Sequence, residues 1–144
     1  MKCEEYGQLQ EMNQFHVSVW AACLDWLFMS NGSESFVIKL SSRNPSASRL
    51  HMRLNEESCL SDATFSCNRP KNVWNTEEYS LYLLLHVYRI GGFTLQIWCP
   101  ENQQLLRTIA CGSGMYFRVF NSAALVYSDE GSARTAMLIT DLSA

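Results

Sequence analysis

Charge is scarce in this sequence. Only 17% of its 144 residues are charged, against 47% hydrophobic. That balance excludes an intrinsically disordered chain, which stays solvated through high charge and few apolar groups. Long apolar runs are missing too. No stretch reaches the roughly 18 residues that cross a bilayer as a helix, and the richest, Phe15 to Met29, is interrupted by Asp25. No basic segment followed by a plain apolar run stands near the start, so no signal peptide is expected. Motifs of catalysis and metal binding are equally absent. There is no Cys-x-x-Cys and no Cys/His cluster at zinc spacing. No Gly-x-Ser-x-Gly, His-Glu-x-x-His or phosphate-cradling glycine loop occurs, and His16, His51 and His86 are scattered. Glu56-Glu57 and Glu77-Glu78 are adjacent pairs, whose side chains point apart on a strand. No enzyme, cofactor or metal is therefore expected.

What is present fits one domain over 1–144, long enough to bury about 68–70% of its unfolded surface without staples. The net charge of −3 argues against a general nucleic-acid coat. Its distribution is uneven, however. Lys39, Arg43, Arg49, Arg53, Arg69 and Lys71 fall within residues 39–71, against only Glu56, Glu57 and Asp62. A positive segment on an acidic body suits an anionic ligand, or else is a solvated loop. The six cysteines are expected mainly as free thiols, because Cys23, Cys99 and Cys111 sit among apolar residues; disulfides are the alternative. Asn31-Gly32-Ser33 reads both as a glycosylation sequon and as a turn.

Residues 3–13 predict a short helical lead-in. In 15–28, Val17, Val19, Ala21 and Cys23 alternate like a strand, while Val17, Trp20, Ala21, Leu24 and Phe28 fit one helical face. The Val and Trp content favours one long strand. A second strand runs from Phe36 to Ser41, after the Asn-Gly turn. Residues 42–75 read as a long excursion, with a strand over Leu50–Leu54. Residues 76–90 predict a helix, with Glu77-Glu78 in its first turn and Gly91-Gly92 at its end; a strand is the competitor. Phe93–Trp98, Met115–Tyr127 and Thr135–Leu142 are strands, the last two forming a hairpin across Asp129-Glu130-Gly131. The fold class expected is all-β: a five-stranded barrel with a helix between strands.

Several of these segments resemble a known family. Phe93-Thr-Leu-Gln-Ile-Trp98 ends in an aromatic, Gly114-Met-Tyr-Phe-Arg118-Val follows about a dozen residues later, and Tyr127 stands nine residues beyond Arg118. With Val17-Ser-Val-Trp20, Trp26 and Phe36-Val-Ile-Lys-Leu-Ser-Ser-Arg-Asn44, this layout resembles the single-stranded telomeric DNA-binding OB-folds of the protection-of-telomeres family. It departs from that family at Ser42-Arg43-Asn44, where an acidic-Gly-Thr turn is expected, and at Ser128-Asp129-Glu130, where a basic residue is. The resemblance implies a nuclear protein of the telomere that binds the G-rich single strand, protects chromosome ends and regulates their length. Its partners would be that DNA and other telomere-complex proteins, with no membrane. Two alternatives stay open: an OB module that binds protein without DNA, and a secreted CUB-type domain.

OB-folds stack bases on aromatics and track phosphates with cations. The resemblance matches Trp98 and Tyr127 to stacking positions. Phe93, Leu95 and Ile97 alternate toward a core, so Trp98 is expected on the opposite, polar face with Thr94 and Gln96. Trp26, beside Asp25 near the end of the first strand, is a third candidate: it stacks a base or caps the barrel. Lys39, Arg43, Arg49 and Arg134 are the candidate phosphate contacts, whereas Arg118 is expected to support structure.

Overall fold

Residues 80–89 decide the architecture, because their leucines suit a helix and a strand equally. In the computed structural model they form a strand. The structure describes residues 16–41, 47–52, 54, 58–68, 80–112, 115–120, 123–128 and 136–139. The expected lead-in at 3–13, and the candidate contacts Arg43 and Arg134, lie outside them. The described residues are all β, with no helix among them. Their strands make three antiparallel sheets, none closed into a barrel. The chain divides into two compact units, Met1–Arg53 and Leu54–Ala144.

The first unit is a sheet in the order β1 (Val19–Cys23), β2 (Trp26–Ser30), β3 (Ser35–Lys39), β4 (Ser48–Arg49). The single strand expected over 15–28 is split by a turn at Leu24-Asp25, with Cys23 pairing Trp26. Leu24 takes a φ of +56° there. The left-handed region costs a non-glycine residue about 1–2 kcal/mol, so composition alone does not announce the reversal. The backbone carbonyl of Asp25 accepts from Leu40 N at 2.7 Å, and its carboxylate accepts from the Ser41 hydroxyl. Both bonds tie the turn to the end of β3. At the next turn Asn31 Oδ1 accepts from Ser33 N at 2.9 Å and Glu34 N at 2.8 Å, beside Gly32 at φ +96°. The Asn-Gly sequence acts here as turn chemistry. Val19, Ala21, Trp26, Phe28 and Val37 are buried, and the register puts them on one face. Ser30 and Ser35 share that face, and the Ser35 hydroxyl donates to Ser30 Oγ at 2.9 Å. The strand expected at 50–54 is replaced by β4, which pairs with Phe36 and Val37.

The second unit holds a meander of β5 (Cys59–Asn68), β6 (Ser80–Arg89), β7 (Gly92–Cys99) and β8 (Gln104–Gly112). It also holds the sheet β9 (Met115–Phe120), β10 (Ala123–Ser128), β11 (Ala136–Ile139). The helix expected over 76–90 is corrected to strand β6. Both faces of its sheet are buried: Leu84 faces one way, Leu83 and Leu85 the other, all fully covered. A strand buried on both faces reads as a continuous apolar run, which periodicity cannot separate from a helix. Gly91-Gly92, expected as a helix end, makes the β6–β7 turn instead, with φ +85° and +153°. The single strand expected over Met115–Tyr127 is a hairpin, in which Phe120 pairs Ala123 and Tyr116 pairs Tyr127. The closing hairpin with β11 forms as expected.

The two sheets of this unit share a core. Leu84, Phe93, Leu95, Ile97, Ile109 and Cys111 pack with Ala124 and Val126, and Met115, Phe117 and Val119 close over them. Alternate residues along β7 and β8 thus face β9 and β10, the layered arrangement of a sandwich.

Candidate functional site

At one end of this sandwich the β6–β7 turn comes against the end of β8. Gly92 makes the approach possible, because a Cβ there would lie 2.1 Å from the Cys111 carbonyl oxygen. Gly91, Gly92 and Gly112 form one wall of a cavity of about 400 Å³. Aromatic rings form most of the rest, with Met115 and Arg118. Alternation along β6 brings His86 and Tyr88 to the cavity, β7 supplies Phe93, and β9 and β10 supply Tyr116, Phe117 and Tyr127.

The rings fall into two groups. His86 lies 4.3 Å from Phe93 and 5.5 Å from Phe117, centroid to centroid, both tilted. Tyr116 and Tyr127 are cross-strand partners with centroids 5.7 Å apart. Tyr88 and Tyr116 are 53% and 55% exposed, so two large rings stand open to solvent at the cavity. Arg118 is the one cation of the lining, and no carboxylate lines it among the described residues.

His86 is held from the neighbouring strand. The Ser61 hydroxyl meets Nδ1 and lies 3.0 Å from the His86 carbonyl oxygen. Burial among the rings pushes the imidazole pKa down, and the nearby Asp62 carboxylate pulls partly the other way. Burial pushes the Cys111 thiol up, opposed by Arg89. Among the described residues no group of His, Cys, Asp and Glu is placed to hold a metal ion. The arrangement suits a planar ring stacked on tyrosine, with a hydrogen-bonding imidazole and one positive charge in reach.

The sequence-expected residues fare differently. Tyr127 lines the cavity. Trp98 does not reach solvent: it is 5% exposed. Thr94 and Gln96 made its face look polar, but the adjacent strand puts Leu83 and Leu85 opposite Trp98 and Gln96. The indole Nε1 donates to Gln96 Oε1 at 3.0 Å, which satisfies its buried donor. Trp26, expected either to stack a base or to cap the barrel, is buried. It is 5% exposed in the first unit, and Lys39 Nζ stands 5.7 Å from its ring centroid. Lys39 itself is exposed. Arg49 lies 3.8 Å from Glu34 Oε1 in a solvent-exposed ion pair, worth about 0–1 kcal/mol. Trp26, Lys39 and Arg49 thus belong to the first unit, Trp98 and Tyr127 to the second.

Sequence reasoning missed His86, Tyr88 and Tyr116, and took Arg118 as structural, though it is exposed at the cavity. A hairpin assignment for 115–127 would have found two of them, since it sets Tyr116 opposite Tyr127 and Arg118 opposite Leu125. No protein-family model matches the chain, and neither does any curated protein or solved structure.

Proposed function

We propose that the chain is a non-catalytic binding module whose second unit takes single-stranded nucleic acid, one unstacked base entering the aromatic cavity. The observation that carries this reading is the pair of half-exposed tyrosines, Tyr88 and Tyr116, flanking a cavity with Arg118 in its wall. Stacking on an exposed ring is worth about 1–3 kcal/mol per base, and a duplex hides the base faces. The telomeric G-strand, a nuclear location and a part in chromosome-end protection rest on the strand-pattern resemblance alone. So does the OB barrel, which this reading does not require.

The test is fluorescence anisotropy with a telomeric G-rich strand, its complement and their duplex. Both single strands are expected to bind more tightly than the duplex, and the G-rich strand best. Tyr116→Ala is expected to lose about fivefold or more in affinity. Equal binding to all three refutes the reading, as does no binding at micromolar protein. A protein-binding role is the second reading, favoured by the outer face of β9–β11, where Leu138 is 58% exposed in line with Leu125. A folded protein that binds no nucleic acid favours it.

A further inference from the structure

His86 lines the cavity, and one of its ring nitrogens, Nδ1, is engaged by the neighbouring strand. The Ser61 hydroxyl lies within hydrogen-bond reach of both the His86 carbonyl oxygen and Nδ1. Its single hydrogen serves one of the two; given to the carbonyl oxygen, it leaves the Nδ1 contact to an N–H on the ring, donating to Ser61 Oγ. That leaves Nε2 as the nitrogen available to a ligand. In that neutral tautomer Nε2 is an acceptor; in the imidazolium it is a donor.

The environment selects between these forms. Phe93 and Phe117 pack against the ring and favour the neutral state. Among the described residues, the charged and titratable groups around it are few. β5 brings Asp62, the cross-strand partner of His86. β6 brings Tyr88, β9 brings Tyr116 and Arg118, and β10 brings Tyr127. Cys111 of β8 lies in the core beside Phe93, with Arg89 acting on it. Asp62 alone favours the imidazolium, and its effect is smaller than that of burial.

We propose that Ser61 gives its hydrogen to the carbonyl, so that Nδ1 carries the ring proton, and that His86 reads the ligand in the cavity: its neutral Nε2 accepts a hydrogen bond from a ring N–H of the bound base. The proposal rests on the reading that the cavity takes a base. Base and proton then compete for the same lone pair, so acid weakens binding. A phosphate at Nε2 would need the imidazolium and would bind more tightly in acid. The sign of the pH dependence separates the two.

The experiment titrates the protein with oligothymidylate and with its N3-methyl analogue, which lacks the ring N–H. At neutral pH the methylated oligomer is expected to bind at least about fivefold more weakly. Below about pH 6.5, affinity for oligothymidylate is expected to fall, approaching tenfold per pH unit below the imidazole's own pKa. His86→Gln presents an acceptor at every pH and is expected to flatten that profile. Equal affinity for the two oligomers overturns the proposal and leaves the nucleic-acid reading standing, as does a wild-type profile that is flat or rises in acid. Failure of the folded protein to bind either oligomer at any pH overturns that reading, and the proposal with it. The comparison of oligomers on wild-type protein stands even if the variant does not fold.

Discussion

Replacing Gly92 by alanine tests the close approach that shapes the cavity wall. Gly92 has φ +153°, and an added Cβ would meet the Cys111 carbonyl oxygen at 2.1 Å and the Gly112 carbonyl carbon at 2.9 Å. Those are backbone atoms, so no side chain can swing away. The end of β8 must move, and with it the pairings Gly92 to Gly112 and Phe93 to Cys111. Gly91 is a built-in control: its φ is +85°, and nothing lies within 4 Å of an added Cβ. Gly91→Ala therefore carries conformational strain alone, about 1–2 kcal/mol, less about 0.4–1 kcal/mol from a stiffer unfolded chain. Gly92→Ala adds the loss of ladder hydrogen bonds, about 0.5–1.5 kcal/mol each, and disturbed packing under Phe93. The expected total is about 3 kcal/mol or more. In urea, with a slope of about 2 kcal/mol per molar, that lowers the unfolding midpoint by about 1.5 M, against a few tenths for Gly91→Ala. Equal midpoints for the two variants would refute the close approach.

Trp98→Ala is expected to cost about 3–5 kcal/mol of stability, or about 6–20 °C in Tm by calorimetry; a shift of a degree or two would place the indole at the surface. His86 has its folded pKa below the unfolded value, so the unfolded chain takes up its proton first. Stability is therefore expected to fall as pH drops below about 6.5, and denaturant melts of His86→Gln should lack that part of the loss. Cys111 has its thiol pKa raised, so it stays protonated when folded, and its share of stability is expected to fall above about pH 9. A mild thiol reagent should label exposed Cys59 at once, and Cys111 only as the protein unfolds. With Arg118 the one cation of the lining among the described residues, nucleic-acid binding should depend weakly on salt, with a slope in log K no steeper than about −2.

Where apolar and polar residues alternate along a strand, the sequence was legible. The Phe36–Ser41 expectation overlaps β3, Phe93–Trp98 lies within β7, and the final hairpin pairs as expected. Strands buried on both faces hid themselves. β6 carries leucine at 81, 83, 84 and 85, a run that contains a helical face as well as a strand. β5 failed in the opposite way: Cys-Leu-Ser-Asp-Ala-Thr-Phe-Ser-Cys-Asn has too few apolar residues to declare itself, and owes its state to pairing along β6. The cavity shows the same limit. Tyr127 was reached through the family resemblance, whereas Tyr88 needed β6 to be a strand and Tyr116 needed β9 and β10 to be separate. Trp98 shows why one strand cannot assign a face: Thr94 and Gln96 are polar, but the neighbours across the ladder are leucines.

Every strand pairing among the described residues joins elements that are consecutive along the chain. Such contacts are local in sequence, and local topology folds fast, because little loop entropy is lost before each contact forms. A hairpin closes in about 1–10 μs, far quicker than a ribosome adds a residue. Each strand of the β5–β8 meander after the first follows its partner along the chain, so this sheet can grow in the order in which it is synthesised.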